Sequence, residues 1–146
     1  MRKINYIVVH CSATREGCTL TSEALEAEHR RRGFRTTGYH YYIRRDGTVL
    51  GTRSLELPGA HCRGHNKYSI GICYEGGLDA RGNPKDPRTP EQRSALHLLV
   101  YQLLQQFRNA RVCGHRDLSP DLDGDGTVEP WEWVKQCPCF EVSKEF

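Results

Sequence analysis

Thr89-Pro90-Glu91-Gln92, followed by Leu96, Leu99, Val100, Leu103 and Phe107, constrains the fold of this chain more than any other stretch. The first four residues form a capping box, with proline at the first helical position, where its missing N–H costs nothing. The apolar residues then recur at helical spacing and make one stripe, which must be buried. Three β-branched runs read as strands: Tyr6-Ile7-Val8-Val9, Ser69-Ile70-Gly71-Ile72-Cys73-Tyr74-Glu75 and Arg111-Val112-Cys113. Gly38 to Ile43 and Arg44 to Leu50 flank an Asp46-Gly47 turn and read as a hairpin. Alternation in that hairpin puts Tyr39 and Tyr41 on one face, and His40 and Tyr42 on the other. A further helix is capped by Thr21 or Ser22, reaches Arg32 and stops at Gly33. Its apolar stripe (Leu20, Ala24, Leu25) is thin, so it lies on the surface with His29 facing solvent.

A length of 146 residues suits one domain with a single core. The formal charge of +3 is mild, and no dense Lys/Arg face marks a nucleic-acid binder. Arg30-Arg31-Arg32 falls at a helix end, where cations complement the dipole. No apolar run approaches the ~20 residues needed to span a bilayer, so no membrane insertion is expected. Met1 to Tyr6 runs directly into a strand and does not read as a signal peptide. The expectation is a protein made in the cytoplasm that reaches any external target by release or dedicated export. Seven cysteines make an odd, high count. Buried thiols plus one metal ligand fit a reducing compartment. Outside the cell disulfides become possible, Cys11 with Cys18 being the nearest pair in sequence.

Three elements end in metal-ligand chemistry. The first strand ends in His10, at the position where α/β sheets place their reactive groups. The last strand delivers His115, and the tail carries Cys137. Imidazole and thiolate are good ligands for a borderline-soft cation such as zinc, and three protein ligands leave a fourth position for water.

The ordered set Val9-His10-Cys11-Ser12-Ala13-Thr14, Gly38-Tyr39-His40-Tyr41, Gly47-Thr48, Ala60-His61, Gly64-His65-Asn66, Ser69-Ile70-Gly71, Thr89-Pro90-Glu91-Gln92, Gly114-His115 and Lys135-Gln136-Cys137-Pro138 resembles the zinc-dependent N-acetylmuramoyl-L-alanine amidases of the phage-lysozyme and peptidoglycan-recognition-protein (amidase type 2) family. The resemblance covers nearly the whole chain. It implies an α/β single domain over 1–146, with a mixed central sheet flanked by helices and a zinc-bearing groove on one side. By residue match, His10, His115 and Cys137 hold the zinc, and Tyr39 and Lys135 are the catalytic pair. His61, His40 and Asn66 contact substrate. The implied reaction is hydrolysis of the amide joining N-acetylmuramic acid to L-alanine in peptidoglycan, and the default state is a monomer. The residues fit that chemistry, since water on such a zinc has a pKa of roughly 7. Lys135 can face the oxyanion. Tyr39 can hydrogen-bond the water or take its proton, and is favoured over Lys135 for that role. The alternative is a non-catalytic peptidoglycan-recognition module, but relatives of that kind lack the zinc cysteine that Cys137 supplies here.

Two features depart from the family pattern. Between the second histidine and the cysteine lies Asp121 to Glu132, which fits the twelve-residue calcium loop of EF-hands. Asp121, Asp123, Asp125, Glu129 and Glu132 stand at positions 1, 3, 5, 9 and 12, with Thr127 at 7, Gly126 at 6 and Val128 at 8. The stretch reads as a lone calcium loop with a turn of helix from Pro130 to Lys135 after it. Calcium there would position Lys135 and Cys137. Cys139 is the second departure; Pro138 separates it from Cys137, and it reads as structural.

Overall fold

The computed structural model describes residues 2–146. Its chain order is β1 (Tyr6–Cys11), β2 (Thr14–Arg15), α1 (Ser22–Arg31), β3 (Tyr41–Ile43), β4 (Val49–Gly51), β5 (Ser69–Tyr74), β6 (Gly77–Leu78), α2 (Pro90–Gln106) and β7 (Arg111–Gly114). One sheet runs in the order β4-β3-β5-β1-β7. β1 pairs in parallel with β5 and β7, and β3 in parallel with β5. Only the β3–β4 hairpin is antiparallel, so the sheet is mixed as expected. β2 and β6 form a separate parallel ribbon that sequence reasoning did not anticipate.

Alternation along β1 divides the molecule. Ile7 and Val9 point to one face and join Ile70, Ile72, Leu96, Leu99, Val100 and Leu103 in the main core under α2. Burying a side chain such as Leu96 contributes about 1.5–3 kcal/mol, and Leu96 is fully buried. The capping box of α2 is formed in both directions: Gln92 N–H donates to Thr89 Oγ1 and Thr89 N–H to Gln92 Oε1, each at 3.1 Å. On the other face Leu25 of α1 packs with Tyr42 and Cys73. The sheet is thus covered on both sides, and the C-terminal ends of β1 and β7 open on the α1 side.

The hairpin turn forms as read: Thr48 N–H donates to Asp46 Oδ1 at 2.9 Å, and Gly47 takes a φ of +89°. Its strand starts later than expected, at Tyr41. Tyr39 consequently packs with Tyr42 and not on the face of Tyr41, because period-two alternation does not extend into the irregular stretch before β3.

The tail returns across the sheet ends. Phe140 and Val142 enter the main core, and the Tyr74 hydroxyl donates to the Pro138 carbonyl at 2.5 Å. Arg88 lies 3.4 Å over the Phe140 ring and is paired with Asp86 and Glu145. The helix expected over Pro130 to Lys135 is shorter, a single 3-10 turn over Pro130–Glu132.

Candidate metal centre and cleft

His10 leaves the end of β1, His115 follows β7, and Cys137 comes in on the tail. One ligand atom from each lies within 4.8 Å of the other two. The His10 and His115 rings are 4.6 Å apart between centroids. The fold therefore brings together the three residues that the sequence singles out, from opposite ends of the chain. His10 is 1% exposed, and burial, followed by the neighbouring His61, His115 and Lys135, holds its pKa well below 6.5. A buried imidazole kept neutral is in the state a metal ligand requires. The Cys11 N–H donates to Cys137 Sγ at 3.2 Å, which suits a sulfur carrying negative charge. Two imidazoles and one sulfur fit zinc.

The three residues line a cleft of about 500 Å³, together with Tyr39, His61 and Lys135. The Tyr39 ring is half-buried and lies 5.1 Å from the His10 ring. Its backbone carbonyl accepts from the hydroxyls of Thr37 (3.1 Å) and Thr52 (2.8 Å), which fixes the irregular segment before β3. Burial, with Cys73, Cys137 and Cys11 nearby, pushes the Tyr39 phenol well above 10. Lys135 is exposed at the rim.

His61 is placed deeper than a loop residue suggests. It is 9% exposed; its Nδ1 lies 2.8 Å from His10 Nε2, and its Nε2 lies 3.1 Å from Ser69 Oγ. Burial, then His40 and His115, lowers its pKa to about 3, so it is neutral. One nitrogen of a neutral ring accepts. With Nε2–H of His10 donating to His61 Nδ1, the His10 Nδ1 is left free for a metal. A chain of hydrogen bonds, His10 to His61 to Ser69, then fixes the ring. Gly71 makes room for it, since a Cβ there would stand 2.6 Å from the His61 ring.

Two residues expected to contact substrate do not reach the cleft. His40 is fully buried; Gly71 N–H donates to its Nδ1 at 3.1 Å and its Nε2 lies 2.9 Å from the Leu57 carbonyl. With both nitrogens engaged it is a strut between β5 and the loop after β4. Asn66 Oδ1 accepts from the N–H groups of His61 and Cys62, both at 2.9 Å, and so shapes the loop that carries His61. His29, expected in solvent, is 5% exposed, lines the cleft and accepts from Gly38 N–H at 2.8 Å. Its spacing of four from Leu25, on the buried face of α1, was the available signal.

The insert closes on itself. The Asp121, Asp123 and Glu132 carboxylates approach one another, as do those of Asp123, Asp125 and Glu129, each trio having ligand atoms within 4.8 Å. Gly126, at the sixth loop position, takes a φ of +93°, and Glu132 is 3% exposed, accepting from Leu122, Asp123 and Glu129 N–H groups. Crowding by Glu132 and Asp125 raises Glu129 to about 7. All seven cysteines are free thiols. The tail brings two sulfurs to Cys11: Cys137, which accepts from its N–H, and Cys139, at 3.9 Å between sulfurs.

A family model described as N-acetylmuramoyl-L-alanine amidase matches residues 1–138. An endolysin of Klebsiella phage KP32 is 35% identical over 143 residues, covering 98% of this chain and 85% of that one. The solved N-acetylmuramoyl-L-alanine amidase LysC from Clostridium intestinale superposes with a TM-score of 0.76 at 26% identity, over 99% of this chain and 82% of its own. The ectodomain complex of peptidoglycan recognition proteins LCa and LCx, solved with bound tracheal cytotoxin, gives 0.72 at 26% identity, over 99% of this chain and 81% of its own. With a family model matched over residues 1–138 and an endolysin 35% identical across nearly its whole length, this chain belongs to the N-acetylmuramoyl-L-alanine amidase family.

Proposed function

We propose that the chain is a zinc-dependent peptidoglycan amidase whose metal is held by His10, His115 and Cys137, with Tyr39 and Lys135 acting on the scissile amide. The observation that carries the reading is the convergence of three ligand atoms within 4.8 Å beside both of those side chains in one cleft. Zinc held there would supply a Lewis acid and lower the pKa of its water to about 7. Tyr39 lines the same cleft beside His10, so its hydroxyl can donate a hydrogen bond to charge developing on the carbonyl oxygen, or serve as the proton acceptor expected from sequence. Lys135 faces the same cleft with a positive charge. His61 orients His10 from behind. Peptidoglycan is the substrate, taken as a glycan strand with its stem peptide, and the protein acts on the wall as a monomer after release.

Elemental analysis of native protein and of Cys137→Ser, beside loss of turbidity of purified peptidoglycan, tests this. About one zinc per chain, lost together with activity in the variant, is the expected result. Native protein that binds no zinc after reconstitution and releases no stem peptide would leave a recognition module in its place.

The same reading takes the insert as a calcium loop held by Asp121, Asp123, Asp125, Thr127, Glu129 and Glu132. Its support is the fit of the acids to the loop positions, the glycine turn at Gly126 and the clustered carboxylates. A calcium-selective chelator added to zinc-loaded protein is expected to lower both Tm and activity. Unchanged values of both would refute the calcium assignment.

A further inference from the structure

We propose that Cys11 and Cys139 are a disulfide-forming pair that ties the end of β1 to the tail, cross-linking the two segments that carry His10 and Cys137. The proposal rests on the zinc reading above, because it needs the third sulfur nearby, Cys137, to be engaged by metal.

The geometry is specific. The Cys11 and Cys139 sulfurs stand 3.9 Å apart. A bond of about 2.05 Å needs less than 2 Å of further approach. Cys11 directly follows His10 and is 8% exposed. Cys139 lies two residues beyond Cys137, is half-buried and lines the cleft, so a small oxidant reaches it from solvent. The tail is pinned around it: the Cys139 N–H donates to the Gln136 carbonyl at 2.8 Å, and the Tyr74 hydroxyl holds the Pro138 carbonyl. Cys139 itself sits at φ +70°, a left-handed conformation that non-glycine residues adopt uncommonly. The Cys11 N–H contact to Cys137 Sγ holds the same two segments together one step away. The remaining thiols are placed differently. Cys62, Cys73 and Cys113 are buried, and Cys18 is exposed.

Peptidoglycan lies outside the cytoplasmic membrane, where disulfides form and persist. The chemistry balances with a disulfide oxidant such as oxidised glutathione. The Cys139 sulfur attacks it, forming a mixed disulfide and releasing one small thiol. The Cys11 sulfur then displaces the second thiol and closes the cystine. Two protons and two electrons leave the protein, and the oxidant's sulfur–sulfur bond becomes two thiols. The cystine closes a loop running from residue 11 to residue 139, long enough for a large effect on the unfolded chain. It would hold His10 and Cys137 at a fixed separation without consuming a ligand, and so slow loss of the metal.

The test oxidises zinc-loaded protein with oxidised glutathione, blocks free thiols, digests, and maps disulfides by mass spectrometry. Zinc content and Tm are read in parallel on the reduced and oxidised forms and on Cys139→Ser. Expected are a Cys11–Cys139 peptide, zinc retained at the reduced protein's level, slower zinc transfer to a chelator, and a Tm rise on the order of 10 °C that Cys139→Ser does not show. A Cys11–Cys137 linkage with zinc expelled, a Cys11–Cys18 linkage, or no linkage overturns the proposal. Zinc content of the reduced protein reports separately on the metal centre, and the disulfide map alone decides the pair.

Discussion

Replacing His61 with leucine tests the residue whose ring nitrogen stands against the proposed ligand His10. Leucine fills a similar space but offers nothing to His10 Nε2, which now has His61 Nδ1 at 2.8 Å. His10 is 1% exposed, so water does not substitute for the lost partner. A buried N–H left unsatisfied costs about 1–3 kcal/mol. At about 1.4 kcal/mol per tenfold, that cost falls on zinc binding as roughly 10- to 100-fold weaker affinity, the range found when outer partners of metal-bound histidines are removed. Competition against a chromophoric chelator measures it directly, and circular dichroism of the metal-free variant checks that the fold survives. His61→Asn supplies the control, since its side-chain oxygen offers an acceptor near the position of Nδ1 and recovers part of the loss. A folded His61→Leu protein that binds zinc within about threefold of the native value would refute the hydrogen-bond chain as the device that sets the His10 ring.

Two further outcomes are expected. If Tyr39 acts as proposed, Tyr39→Phe lowers kcat about 10²- to 10³-fold, with zinc content unchanged; loss of zinc in this variant, or undiminished kcat, goes against the role. Acid should destabilise the metal-free protein well before its carboxylates titrate. His61 (about 3) and His40 (about 4, lowered chiefly by burial) stay neutral when folded but take up protons near 6.5 when unfolded. The unfolded state thus binds more protons below pH 6.5, so the stability these groups contribute is complete above that pH and is lost as pH falls towards 4 and 3. From pH 7 to 5 the two together account for a drop of about 3–4 kcal/mol, read by denaturant titration; a flat profile over that interval would contradict their burial as neutral rings.

What was legible in the sequence follows from how local each signal is. The strand ends that carry His10 and His115, the capping box of α2 and the Asp46-Gly47 turn are written in neighbouring residues, and all form as read. For Tyr39, His29, His40 and Asn66, the sequence offers only short-range alternation, a thin apolar stripe or family resemblance as a guide to face or role. Their actual surroundings come from packing between segments remote in sequence. His40 is claimed by Gly71 and Leu57, Asn66 by the backbone of residues 61 and 62, and His29 by Gly38. Cys11 shows the same limit: Cys18 is the nearest cysteine in sequence, but the tail docking set by Phe140, Arg88 and Tyr74 places Cys139 beside it.

That docking explains how a three-ligand site can be assembled from both ends of a chain. β1 places His10 at a sheet end with almost no freedom, because Ile7 and Val9 are locked under α2 on the opposite face. His115 inherits the same rigidity through the register of β7 on β1, in which Val9 stands opposite Gly114. Cys137 has no strand to hold it, so its position depends on the tail: Phe140 and Val142 in the core, Arg88 stacked on Phe140, and the Arg116 N–H donating to the Cys137 carbonyl at 2.9 Å. The insert leaves from beside Arg116 and returns just before Lys135, with the Arg116 guanidinium 3.9 Å from the Trp133 ring. The proposed third ligand, Cys137, and the proposed catalytic Lys135 therefore ride on the least regular part of the fold. Both stabilising devices inferred for this protein, cation binding in the acidic loop and a cystine from Cys139, act on that part, where a constraint has most effect on the metal geometry.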